Sequence, residues 1–373
     1  MPDAGISERV KLPSIPSLTG IRGVAAVWVL FFHLNALFPR LIHNSSFITA
    51  GYHAVDLFFI LSGFILMYVH SQDFIHPTWL KTCEFYAARV TRVYPLNATI
   101  LFGILIAFSW QTRFITWSRI QQPGSYSVAG FYQTLILANR WGRSLGEWNE
   151  PTWSLSLEIV GYVLFPFLVL GISRVRRAWV SVLLGLTSLS LLILFQALTH
   201  TLYINSIGRL GAVRMLLGFF CGMLMCHLRQ LAPFLSGTPK RVAWISCVLI
   251  TGCIFVGPLH PLLVFPFASL IWALSYREGF VNTVLADGFA VYLGRISFAL
   301  YLVHIPIFRY TEYLIATINP DAPIAFLYVE VLLAVALSFG LATILYRWVE
   351  APMHRLGRRL FGAFMRSGTP SVA

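Results

Sequence analysis

The chain has 373 residues, of which 57% are hydrophobic and only 11% charged, and its mean hydropathy is +0.74. Soluble domains carry about 25% charged residues, so this composition excludes an ordinary soluble enzyme and implies a polytopic membrane protein. The formal net charge of +13 raises nucleic acid as a partner, but the placement of the basic residues argues against nucleic acid.

A helix needs about 17 to 25 apolar residues to cross the hydrocarbon core of a bilayer. In chain order such runs are expected at about 18–38, 52–70, 93–110, 153–171, 178–199, 207–228, 242–257, 260–276, 288–309 and 324–347. The predicted fold class is therefore an all-α polytopic membrane protein with about ten transmembrane helices. The seventh and eighth runs are short and share the turn GPLHP. Residues 1–14 are expected to form a cytoplasmic tail, 15–352 one transmembrane domain, and 353–373 a basic cytoplasmic tail. The first eleven residues are polar and no small-residue cleavage site follows the first apolar run, so no removed signal peptide is expected.

Loops rich in Lys and Arg stay on the cytoplasmic side. One set of connections carries Arg9 and Lys11, Lys81 with Arg89 and Arg92, Arg174 to Arg177, Lys240 and Arg241, Arg277, and finally Arg355, Arg358, Arg359 and Arg366. The alternate connections near 39–51, 200–206 and 310–323 are almost free of positive charge. Both termini are thus expected in the cytoplasm. The long segment 111–152 then lies outside, and its AGFYQTLILANR stretch is too short to span, so an interfacial or re-entrant element is expected there. GFFCG at 218–222 has the spacing of a close helix contact. Four of the five cysteines, Cys221, Cys226, Cys247 and Cys253, fall in apolar runs, with no CxxC pair and no metal-ligand spacing. Neither a disulfide framework nor a metal site is expected.

The chemistry is concentrated in a few ionisable residues inside the spans. In TGIRGVAAVWVLFFHL, Arg22 and His33 are eleven steps apart. At about 100° and 1.5 Å per step they share one helix face about 16 Å apart, a spacing that can serve two ends of one long ligand. Asp56, Glu158 and His304 are expected in the outer half of the membrane together with His33. Such groups are costly in hydrocarbon unless paired or facing water. Singly, each has a structural explanation: a packing histidine, an interfacial aspartate, a positive-inside arginine. Together at one depth they point to a site. Arg89 and Arg92 in FYAARVTRVYP are three apart and neighbours on a helical turn. Paired guanidinium forks suit phosphate oxygens, although an ordinary basic loop at the headgroups has the same spacing. Trp110, Trp117, Trp141 and Trp148 fit either a sugar platform or an interfacial aromatic belt.

These motifs, taken in order, resemble the acyltransferase type-3 family of integral membrane proteins. They comprise Arg22 with His33, AVDLFFILSGF at 54–64, RVTRVYP with Arg89 and Arg92, WSLSLE at 153–158, ISFALYLVHIPI with His304, and YRWVEAP with Glu350. The chain departs from the family where Ile159, Val160, Gly161 and Tyr162 follow Glu158, and where Ala54 replaces a common glycine. The resemblance implies transfer of an acyl group, often acetyl, from a cytoplasmic thioester donor to an extracytoplasmic carbohydrate, free or lipid-linked, in a bacterial cytoplasmic membrane. On that basis acyl-CoA, with acetyl-CoA first, is the expected donor substrate. Arg22, Arg89 and Arg92 would bind it, with no metal involved. His33 would act as general base with Glu158 or Asp56 orienting it, and His304, Tyr301 and Trp153 would face the acceptor or the thioester. Direct transfer and an acyl-histidine intermediate both remain open. A proton-coupled transporter using His33, Asp56, Glu158 and His304 as a relay is the competing class, and a non-enzymatic partner in a polysaccharide assembly complex is a third.

Overall fold

A computed structural model describes residues 12–39, 41, 45–114, 126–142, 148–198, 209–232, 238–318, 323–357 and 359. Among these, all regular structure is helical. In order the helices are α1 (Pro16–Leu37), the short α2 (Ser46–Ala50), α3 (Ala54–Ile75), α4 (Trp79–Phe114), α5 (Val128–Leu135), α6 (Thr152–Ile172), α7 (Ala178–Leu198), α8 (Arg209–Leu231), α9 (Thr238–Phe255), α10 (Val264–Leu274), α11 (Gly279–Leu285), α12 (Gly288–Ile318) and α13 (Ile324–Leu345). Ten helical segments among the described residues are long and apolar enough to cross a membrane, as the hydropathy pattern predicts.

Among the elements that differ from the hydropathy reading are α4 and the eighth span. α4 begins at Trp79, well before the apolar run at 93, so Arg89 and Arg92 lie within a 36-residue helix and not in a loop. Hydropathy marks where a helix meets lipid; the first half of α4 is a mixed polar helix whose exposed side includes Trp79 and Val90. The eighth span is composite. A 3₁₀ segment, Gly257–Leu263, carries Pro258 and Pro261 before α10 begins at Val264, because proline supplies no N–H to the α-helical ladder.

The bundle is organised around two close pairs, α1 against α12 and α3 against α8. Both depend on glycines that let backbones touch. A Cβ added to Gly222 would overlap the carbonyl of Ile60, and one added to Gly63 would overlap that of Phe219. The spacing read in GFFCG is therefore a helix contact, made to α3. In the other pair a Cβ on Gly23 would sit 2.6 Å from the backbone nitrogen of Gly294. Such contacts supply the dispersion that drives association where lipid removes most of the hydrophobic incentive.

The segment after α4 folds back onto the bundle. α5 is only eight residues long, and its N-cap Ser127 accepts from the Gly130 N–H at 2.9 Å. Asn97 of α4 donates to the Thr134 carbonyl at 2.9 Å. Leu137, in a left-handed conformation with φ of 55°, is fully buried behind α5. Asn149 then donates to the Leu302 carbonyl at 3.1 Å, tying this segment to α12 two residues before His304. Trp148 is buried among Phe108, Tyr126 and Phe131, so packing accounts for it. Trp117 lies outside the described residues.

Candidate active site

α1 and α12 each contribute one polar residue at either end of a shared face. Arg22 donates to Ser297 Oγ at 3.2 Å, and His33 meets His304 with Nδ1 and Nε2 3.2 Å apart. Both pairs join the same two helices, so the common stripe predicted for Arg22 and His33 is turned into the bundle. Neither side chain faces lipid.

The arginine end opens into a cavity of about 900 Å³, counting its mouth. Arg22, Arg89, Arg92, Ser62, Glu158, Tyr162 and Ser297 give it a polar lining, and Phe58, Leu61, Ile65, Leu155 and Phe298 give it apolar walls. None of the three guanidinium groups forms an ion pair among the described residues. Arg89 is held over the rings of Phe85 and Tyr162, 5.8 and 6.0 Å from their centroids. Its buried Nε has no hydrogen-bond partner there. Cation–π packing of this kind orients a guanidinium while leaving its donor edge available. Glu158 accepts from Ser62 Oγ and thus belongs to the arginine cavity, not to the layer of His33. Glu350, on a π-helical turn after α13 (Tyr346–Glu350), is the second carboxylate acting on Arg22 and Arg92. Three cations against two carboxylates leave the cavity positive, a setting for an anionic ligand.

At the histidine end the hydrogen bonds fix the tautomers. His304 Nδ1 is 3.0 Å from the Leu300 carbonyl. A carbonyl only accepts, so that nitrogen carries the proton and Nε2 of His304 presents its lone pair. His33 Nδ1 faces this lone pair and also the Val29 carbonyl, at 3.0 Å, and is therefore the protonated nitrogen of its ring. Nε2 of His33 makes no hydrogen bond among the described residues and keeps a free lone pair. His304 is buried, whereas His33 is partly exposed.

The other residues read from the sequence fall in different places. Asp56 is fully buried and committed to Arg214 of α8, which donates Nε to Oδ1 at 2.6 Å and Nη2 to Oδ2 at 2.8 Å. His53 Nδ1 is 3.1 Å from Oδ2, and Tyr52 lies against the same guanidinium, its ring centroid 4.3 Å away and its hydroxyl on Nη1. Trp153 packs edge-on against Phe59 with its indole buried. Tyr301 lies between the two ends: it lines the cavity, and its ring centroid is 6.0 Å from that of His304. His33 and His304 themselves do not line the cavity.

Two groups escaped sequence reasoning. Arg214 sits inside the sixth apolar run, and an intramembrane arginine calls for a carboxylate at its own depth, a signal that Asp56 of α3 answers in the structure. Glu150 and Arg309 form an ion pair at 3.6 Å at the histidine end and are the charged side chains whose fields reach His33. Nothing in their spacing announces it, because they come from two separate segments.

Ten apolar helices enclosing a cavity with three arginines, and a histidine with a free lone pair, define a multi-pass membrane protein. The model of the acyltransferase domain family, type 3, matches residues 15–347, and the chain belongs to that family. It is therefore an enzyme, a membrane acyltransferase. Acyltransferase MdmB of Streptomyces mycarofaciens is 28% identical over 331 residues, 79% of each chain. O-acetyltransferase OatA of Staphylococcus aureus (strain NCTC 8325) is 24% identical over 379 residues, 93% of this chain and 58% of its own. The chain thus spans little more than half the length of the staphylococcal relative. No solved structure matches it.

Proposed function

We propose that the protein is an O-acetyltransferase that moves an acyl group from acyl-CoA, entering at the arginine end from the cytoplasm, to a hydroxyl of a carbohydrate approaching the histidine end from outside. The carbohydrate acceptor, free or lipid-linked, is taken from the family resemblance. The OatA and MdmB names support the acyl transfer, with OatA alone naming acetyl.

The observation that carries this reading is the order of groups along α1 and α12: an unpaired cationic cavity, then Tyr301, then a neutral histidine with an available lone pair. Arg22, Arg89 and Arg92 hold the phosphates of the donor. Its flexible thiol arm runs along Phe58, Leu155 and Phe298 toward Tyr301. His33 Nε2 takes the proton of the acceptor hydroxyl as that oxygen bonds to the thioester carbon. The C–S bond then breaks, and the thiolate recovers a proton from the imidazolium. His304 orients His33, since its Nε2 accepts the Nδ1 proton and that bond strengthens when the His33 ring becomes cationic. Asp56 has a structural role, neutralising Arg214. Glu158 and Glu350 space the arginines. Tyr301 contacts the thioester.

The test is purified protein in liposomes with labelled acetyl-CoA and a panel of glycans. Label should reach a glycan with the native protein, and His33→Ala should lower the rate by about 10²- to 10⁴-fold, the usual contribution of a general base. Full transfer by His33→Ala removes the assigned base. Proton flux driven by a solute, with no acyl transfer, returns the transporter reading in which His33, Asp56, Glu158 and His304 form a relay.

A further inference from the structure

The cavity is lined by two bonded hydroxyl groups, those of Tyr301 and Ser154, 2.8 Å apart. Their protons can be assigned. Ser154 Oγ is also 3.2 Å from the Pro151 carbonyl, which only accepts, so the single proton of the serine points there. The bond between the two hydroxyls is then donated by Tyr301. The phenol ring is held edge-on to Phe58, with centroids 6.1 Å apart, and leans toward His304 on its other side. A buried phenol donor thus lines the cavity that holds the three arginines, with the histidine pair beside it.

We propose that Tyr301 is the oxyanion donor of the acyl transfer, and that Ser154 holds its proton in position until the thioester carbonyl arrives. This rests on the cavity being the acyl-CoA site. When the carbonyl arrives, the Tyr301 O–H turns from Ser154 to its oxygen; as the acceptor oxygen attacks, the carbonyl π electrons move onto that oxygen, and Tyr301 stabilises the charge without giving up its proton. Collapse returns the electrons and expels the thiolate. The exchange strands no buried group, because Ser154 keeps its bond to Pro151. A phenol suits the task, since an ordinary pKa near ~10 keeps it protonated at neutral pH. The apolar walls around it, Phe58, Phe59 and Leu155, raise the value of a single fixed donor aimed at developing charge.

The experiment uses the full chain in nanodiscs, acetyl-CoA, and a ketone analogue of acetyl-CoA with methylene in place of sulfur, labelled with ¹³C at the carbonyl. Tyr301→Phe keeps the ring and loses the donor. It should lower kcat by about 10²- to 10³-fold, with KM for acetyl-CoA and the Kd of CoA changed less than about twofold. In isotope-edited infrared spectra the analogue's carbonyl stretch should move to lower frequency on binding the native protein and remain at its free position in Tyr301→Phe. Ser154→Ala should retain the carbonyl shift and lose far less kcat than Tyr301→Phe. Native kcat in Tyr301→Phe, an unshifted carbonyl in the native protein, or a shift lost only in Ser154→Ala would each overturn the assignment. Analogue bound normally by Tyr301→Phe shows the variant folded. Failure of the native protein to bind CoA at all would remove the donor reading itself, and the assignment with it.

Discussion

Deleting the His304 ring isolates what a second histidine adds to the first. In the resting site His33 Nδ1 has two acceptors, Nε2 of His304 at 3.2 Å and the Val29 carbonyl at 3.0 Å. His304→Ala removes one and leaves the other, so the correct tautomer survives. What is lost is the gain when the neutral bond becomes charge-assisted as His33 accepts a proton. Neutral bonds contribute about 0.5–1.5 kcal/mol and those to charged groups about 1.5–3, a difference of about 1 kcal/mol specific to the transition state. At about 1.4 kcal/mol per tenfold, His304→Ala should lower kcat by about five- to tenfold, leave KM for acetyl-CoA unchanged, and stay far more active than His33→Ala. His304→Gln, whose carbonyl oxygen also accepts, should recover part of the loss. Single-turnover transfer of labelled acetyl measures this directly. A loss in His304→Ala equal to that in His33→Ala would refute the division of roles, and no loss would show that the contact is packing alone.

Replacing Arg89 or Arg92 by Ala removes charge-assisted bonds to donor phosphates worth about 1.5–3 kcal/mol each, so CoA should bind about 10- to 100-fold more weakly in isothermal titration, with the melting temperature preserved. Arg214→Met strands a buried carboxylate and should cost about 3–5 kcal/mol of stability, whereas Arg214→Met with Asp56→Leu should recover most of it; thermal melts in detergent read both, and an additive double variant would contradict the pairing. Gly222→Ala places a methyl group into the Ile60 carbonyl and should reduce the yield of folded protein on size exclusion, while Gly340→Ala, with open space where its Cβ would sit, should not.

What the sequence made legible was whatever depends on one segment at a time. The ten apolar stretches, the shared face of Arg22 and His33, and the close contact in GFFCG all follow from periodicity along a single helix. The start of α4 did not, because polar turns such as those carrying Arg89 and Arg92 are helical through tertiary support and not through hydropathy. The same holds for partner choice. Asp56, Glu158 and His304 all look available to His33 when depth is counted along each span, but the structure puts Glu158 in the arginine layer with Ser62, turns Asp56 to Arg214, and brings His304 alone to His33. Depth relative to another helix and rotation about the axis are both set by packing, by Gly63 and Gly222 for α3 and by Gly23 and Gly294 for α1 and α12. Spacing within one helix can be counted from one strand of letters; its register against a neighbour cannot.

The glycine-mediated embrace of α1 and α12 has a mechanical corollary. Two backbones in direct touch behave as one beam, and that beam carries His33, the proposed base, at one end and Arg22, proposed to meet the donor phosphates, at the other. If acyl-CoA is the donor, as proposed, its loading would be accommodated by the opposite wall, where α4 stands with much of its surface outside the bundle and carries Arg89 and Arg92. The reacting distance would stay constant through the catalytic cycle while the entrance breathes.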